Sequence, residues 1–106
     1  DFEKKSMEKI GLIDEIIPRY RSTYFSHIFS GGYSAGYYSY LWAEVLDSDA
    51  FQPFVENGIF HQPSAKSFRE NVLSKGNSDH PMILYKKYRG AEPNPVYLLK
   101  NRGFVD

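Results

Sequence analysis

The 106-residue chain predicts an all-α fold, with short helices around one longer central helix. Three observations carry that expectation. The longest apolar pattern repeats with helical period, Pro and Gly punctuate the remainder at helix starts and stops, and every connection is short enough for neighbouring helices to lie against one another.

Residues 3–10, EKKSMEKI, put Met7 and Ile10 on one side, and Gly11 is placed to end the turn. The next apolar piece, LIDEIIPRY, is broken at Pro18, which also disfavours helix at Ile17. RSTYFSHIF is rich in β-branched and aromatic residues, so a short strand or an irregular segment is expected. SGGYSAG reads as a loop, because paired glycines permit backbone angles other residues avoid.

From about 36 to 54 the pattern is strongly helical. Tyr38, Leu41, Trp42, Val45 and Leu46 follow i, i+3, i+4, i+7, i+8 and make one apolar face. Three shorter helices are expected beyond it. The first has Pro63 near its start, Phe68 and Val72 on one face, and Gly76 past its end. The second has Ser78 or Asp79 as cap, Pro81 in its first turn and Gly90 as terminator. The third has Asn94 as cap, Pro95 at the first helical position and Gly103 at the stop. No internal repeat or domain boundary shows, so 1–106 reads as a single helical segment.

Bulk composition narrows the function. Thirteen basic and thirteen acidic residues cancel, with five to eight up to Pro53 and eight to five after it. That balance lacks the clustered basic face of a nucleic-acid binder. No apolar run approaches the roughly 20 residues of a membrane span, so neither nucleic acid nor membrane is an expected partner. Without cysteine, disulfides and thiolate metal sites are out of reach. This fits a reducing compartment, and a cytoplasmic location is expected, a periplasmic or exported form staying open. Nine Tyr, eight Phe and one Trp exceed what a small core hides, and the surplus belongs at an interface or pocket. With Asp1 in first place, the chain is expected to be a piece of a longer polypeptide.

The three histidines, His27, His61 and His80, are not spaced to share a helix face, and no HExxH occurs. They read as caps, surface residues or pocket walls. Ser30, Ser34 and Ser39 lie near glycines, yet there is no GxSxG elbow, and no phosphate-loop motif accompanies the glycine pair. The tyrosines say more. Tyr33, Tyr37, Tyr40 and Glu44 stand at i, i+4, i+7 and i+11, one stripe if the helix begins near Tyr33. On one reading these phenols are buried and bonded to backbone. On the other they face a cleft. A phenol, neutral near pH 7, can donate to a developing oxyanion, and His27 could add a second donor.

The run HIFSGGYSAGYYSYLWAEVLDSDAF resembles a C-terminal signature of the thimet oligopeptidase family of zinc peptidases. The similarity continues through FRENVLSKG, HPMILYKKYRG and EPNPVYLLKNRGF, nearly the whole chain. The spacing from His27 to Gly31 and Gly32 resembles the peptidyl-dipeptidase branch; the oligopeptidase branch is one residue shorter there. The GNSDHP stretch departs from the Gly-Gly-Ser or Gly-Gly-Thr run of relatives.

The resemblance implies a helical peptidase whose zinc is held by an HExxH helix and a downstream glutamate, none of them in these 106 residues. It implies that Tyr40 donates to the oxyanion of the tetrahedral intermediate and that His27 lines the site. Tyr33, and more weakly Tyr37, would contact substrate, and the loop from Gly31 and Gly32 to Gly36 would close over the peptide. Short peptides and the N-terminal remainder of the polypeptide are the partners it implies. The chain alone would hydrolyse nothing, having neither metal ligands nor general base. An endo-acting oligopeptidase, a tyrosine-lined binding module and a purely structural helical piece are the rival expectations.

Overall fold

The computed structural model describes residues 2–106, and among these it contains helices and turns but no strand. The all-α expectation holds. The chain divides into two compact units, 1–39 and 40–106.

The first unit opens with α1, Phe2–Lys9, and Gly11 beyond its end adopts a positive φ of 77°. The piece around Pro18 forms turns and no helix. A long-range clasp closes this region: Glu3 Oε1 accepts from Ser22 N at 2.7 Å and from Ser22 Oγ at 2.9 Å, and Arg21 Nη1 donates to Glu3 Oε2 at 2.9 Å. RSTYFSHIF is irregular, with one 3-10 turn at Ser26–Ile28. A second 3-10 turn occupies Gly31–Tyr33.

The second unit is built on α2, Ser39–Ala50, the longest helix at 12 residues. Its pattern promised helix from 36 to 54. Instead it starts at Ser39, and the chain turns at Phe51 before α3, Gln52–Asn57. Residues 36–38 form turns instead, and Ala35, held at φ 54° in the left-handed region, interrupts any helix begun from Tyr33. The stripe of Tyr33, Tyr37 and Tyr40 along one helix therefore does not form, because only Tyr40 lies on α2.

The apolar face of α2 is also corrected. Val45 is buried, but Tyr38 is 74%, Leu41 53% and Trp42 46% exposed. Side chains of α5 and α6 reach the C-terminal half of α2, where Val45, Ser48 and Asp49 are buried.

Helix α4, Gln62–Phe68, starts with Pro at N1/N2 and His61 at the cap position, and runs directly into a π-helical stretch, Arg69–Leu73. There Ser74 N reaches back five residues to Arg69 O at 2.8 Å. Helix α5, Pro81–Arg89, is capped by His80, not by Ser78 or Asp79: Met82 N donates to His80 Nδ1 at 3.2 Å. Asp79 is turned instead to His80 N, at 2.8 Å. Gly90 ends α5 in the left-handed conformation. Helix α6 spans Val96–Asn101, and Asn94 Oδ1 accepts from Val96 N at 3.0 Å, the capping bond its sequence position predicts.

Candidate functional site

In the first unit, the two short 3-10 turns fold the segment from 26 to 37 back on itself. Ser30 N and Ser30 Oγ both donate to Ser26 O, at 2.8 and 3.0 Å. Gly31 then turns with φ 67°, and Ala35 N returns to Ile28 O at 3.4 Å. Gly36 N closes on Tyr33 O at 2.8 Å.

This reversal brings three sequence-predicted residues together. The rings of His27 and Tyr37 lie 5.0 Å apart between centroids, those of His27 and Tyr33 6.1 Å, and those of Tyr33 and Tyr37 5.8 Å with the planes nearly perpendicular. Phe25 packs edge-on against Tyr37 at 5.5 Å and so backs the group. Such spacings suit edge-to-face aromatic attraction, worth about 0.5–1.5 kcal/mol per pair. Tyr37 is half-buried, while His27 is exposed and Tyr33 40% exposed, so one edge of the triangle is open to solvent.

Tyr40 stands in the first turn of α2, 57% exposed. Its neighbour one helical turn on, Glu44, takes an ion pair from Arg102 Nη2 beyond α6.

The other end of α2 holds a group that sequence reasoning missed. Asp49 is only 1% exposed, the most buried side chain among the described residues. Its Oδ2 accepts from Tyr85 OH at 2.5 Å and from Arg89 Nε at 3.2 Å, and its Oδ1 from Asn94 N at 3.4 Å. Arg89 Nε also reaches the Asp49 backbone oxygen at 3.1 Å, and Tyr88 OH donates to Ala50 O at 2.5 Å. Helix α5 and the turn that leads into α6 are thereby tied to the end of α2. Burial pushes the Tyr85 phenol well above its ordinary range, and the bond to the Asp49 carboxylate adds to that. Burial likewise raises Tyr88, with Arg89 opposing.

An apolar groove of about 230 Å³ lies in the second unit, lined by Trp42, Leu46, Val72, Met82, Leu84 and Tyr85 among others. A larger groove of about 420 Å³ in the first unit runs along α1 past Leu12, Ile16 and Arg21. Neither is lined by His27, Tyr33, Tyr37 or Tyr40. Among the described residues no three His, Asp or Glu side chains group so as to hold a metal ion, so the residues present do not fit a zinc site. No helix among them is long and apolar enough to cross a membrane.

A helical segment that presents phenols and an imidazole around a glycine turn is the class the geometry defines. Comparison with known proteins gives the family: residues 1–104 match peptidase family M3, and the chain belongs to it. It is 56% identical over 79 residues to oligopeptidase A of Escherichia coli (strain K12), a match covering 74% of this chain and 12% of that protein. It is 45% identical over 104 residues to dipeptidyl carboxypeptidase of the same organism, covering 97% of this chain and 15% of that protein. Saccharolysin of Saccharomyces cerevisiae is 35% identical over 79 residues, covering 74% and 11%. The chain thus spans between 11% and 15% of the length of these relatives.

Proposed function

We propose that this chain is the substrate side of the catalytic domain of a zinc peptidyl-dipeptidase, an enzyme that releases dipeptides from peptide C-termini. In this reading Tyr40 donates a hydrogen bond to the oxyanion of the tetrahedral intermediate. His27, Tyr33 and Tyr37 hold the peptide, and the turn at Gly31 and Gly32 lets its backbone approach closely. The zinc ligands and general base belong to the remainder of the polypeptide, where the metal would supply water activation; no step here runs through them. The 106 residues alone are inactive on this account.

The observation that carries the reading is the convergence of the His27, Tyr33 and Tyr37 rings on one turn, three residues ahead in the chain of an exposed phenol. A neutral phenol needs no protonation change to donate, which is what oxyanion stabilisation asks of it. The dipeptide-releasing branch is supported by the match to dipeptidyl carboxypeptidase over 97% of the chain and by the spacing from His27 to the glycines. A second reading, an endo-acting oligopeptidase, is favoured by the higher identity to oligopeptidase A over a shorter stretch.

The test is made on the full-length parent. Tyr40→Phe should lower kcat by about 10²–10³-fold with KM little changed, the cost of one oxyanion donor. An unchanged kcat makes the phenol a packing residue. Capping a substrate's C-terminal carboxylate as the amide then separates the branches: a dipeptide-releasing enzyme loses turnover, an endo-acting one keeps it.

A further inference from the structure

We propose that the Asn57–Gly58 peptide is a modification site, a deamidation centre that the last turn of α3 holds unreacted. Among the asparagines only Asn57 precedes a glycine; Asn71 precedes Val72, Asn77 precedes Ser78, and Asn94 precedes Pro95, which has no N–H to lose. The reaction runs between neighbours in the chain and needs no enzyme. The Gly58 amide gives up its proton to solvent, its nitrogen bonds to Asn57 Cγ, and the Cγ–Nδ2 bond breaks as the leaving nitrogen takes up a proton and departs as ammonia. Water then opens the cyclic imide at either carbonyl, leaving aspartate or isoaspartate. A side chain on the following residue obstructs the attack, and glycine has none.

The last turn of α3 ties down both reacting groups. Gly58 N–H, whose proton must leave, donates to Phe54 O at 2.9 Å. Asn57 Nδ2, the leaving group, donates to Pro53 O at 2.8 Å. Asn57 is also the final residue of α3, and closing the imide requires its backbone to leave helical geometry. Both bonds are made within residues 53–58, so the restraint does not depend on what packs over the surface of α3. The reaction also removes its own restraint. A carboxylate cannot donate to Pro53 O, and its charge would stand beside Glu56 at a helix C-terminus, where the macrodipole disfavours an anion. An opening that reacts is thus recorded permanently in the chain.

The experiment incubates the full-length parent at mildly alkaline pH, in native buffer and in denaturing urea, and follows aspartate and isoaspartate at position 57 by peptide mapping. In urea Asn57 should react faster than any other asparagine of this chain. In native buffer its rate should be lower by about 10–10²-fold, the effect of two hydrogen bonds that must break together. Val55→Pro breaks α3 and leaves the Asn57–Gly58 pair intact, so its native rate should rise to within about threefold of the urea rate, with retained peptidase activity as the check on folding. Should that variant fail to fold, Glu56→Gly weakens the same turn and should raise the native rate by about two- to threefold. Equal rates in native buffer and urea, a variant no faster than wild type, or an Asn57 that stays intact in urea each overturn the inference.

Discussion

Arg89 and Asp49 meet twice: the one Nε–H lies 3.1 Å from the Asp49 backbone oxygen and 3.2 Å from its Oδ2. The Arg89 guanidinium also lies 5.7 Å from the ring of Tyr97 on α6. One side chain on α5 thus holds the end of α2 by main chain and side chain together while resting against α6.

Removing the carboxylate should be costly. Asp49→Ala leaves the part-buried Arg89 guanidinium and Tyr85 phenol without their carboxylate acceptor, a loss of about 1–3 kcal/mol by the general cost of an unsatisfied polar group. Urea unfolding of the chain measures it. A loss under 1 kcal/mol would mean water replaces the carboxylate at no cost, and the network would not be an anchor. By contrast, Glu44→Gln breaks an exposed pair with Arg102 and should change stability by less than about 1 kcal/mol.

The raised Tyr85 phenol gives an alkaline signature. An unfolded phenol loses its proton near pH 10, before the folded one does. The stabilisation is therefore whole below about pH 10 and declines as pH rises from there toward the folded value. Unfolding free energies measured from pH 9 upward should fall more steeply for wild type than for Tyr85→Phe. Parallel curves would remove Tyr85 from the account.

Glu3 supplies the acid counterpart. The backbone N–H of Ser22 chiefly, then the Arg21 guanidinium, hold its carboxyl below the usual range. The clasp is present above the ordinary glutamate range and is lost as pH falls through the lowered value. Protection of the Ser22 amide, its exchange rate taken relative to the intrinsic rate at each pH, should fall over that interval in wild type and be absent at all pH in Glu3→Ala. Exchange that is slow in both would show that the clasp does not hold the loop.

The two glycines of the turn should respond differently. Gly31 has φ 67°, and a Cβ built there meets nothing within 4 Å, so Gly31→Ala carries the left-handed strain of about 1–2 kcal/mol and no clash. Gly32 has no such φ and equally open surroundings, so Gly32→Ala should be neutral or stabilising by up to about 1 kcal/mol. Thermal unfolding of both variants checks the order, and a reversed order would contradict the turn geometry.

The sequence made some of this legible and hid the rest for physical reasons. Helix stops at Gly11 and Gly90 and the cap at Asn94 were readable, because each depends on one residue and its immediate neighbours. The grouping of His27, Tyr33 and Tyr37 came from the family resemblance and a spacing argument. The spacing argument assumed a helix from Tyr33; the rings meet instead across a turn made possible by Gly31 and by Ala35 in a left-handed conformation. Asp49 was passed over because its partners lie 36 to 45 residues away, beyond any local pattern. On periodicity it reads as one more polar residue near a helix end. The exposed Leu41 and Trp42 misled in the opposite direction, since periodicity reports which side of a helix is apolar and not what covers it.

The π-helical stretch Arg69–Leu73 has a geometric consequence for everything after it. Where Ser74 reaches back five residues to Arg69, the coil has taken up one more residue than an α-turn would hold. Excising a single residue there would let the stretch relax to α, since the wider turn absorbs that residue before the helix ends and the chain turns toward α5. The hydrogen bonds from Tyr85, Arg89 and Asn94 to Asp49 all originate downstream of that point. The wider turn thus takes up one residue of chain length between the start of α4 and the segment that holds the end of α2.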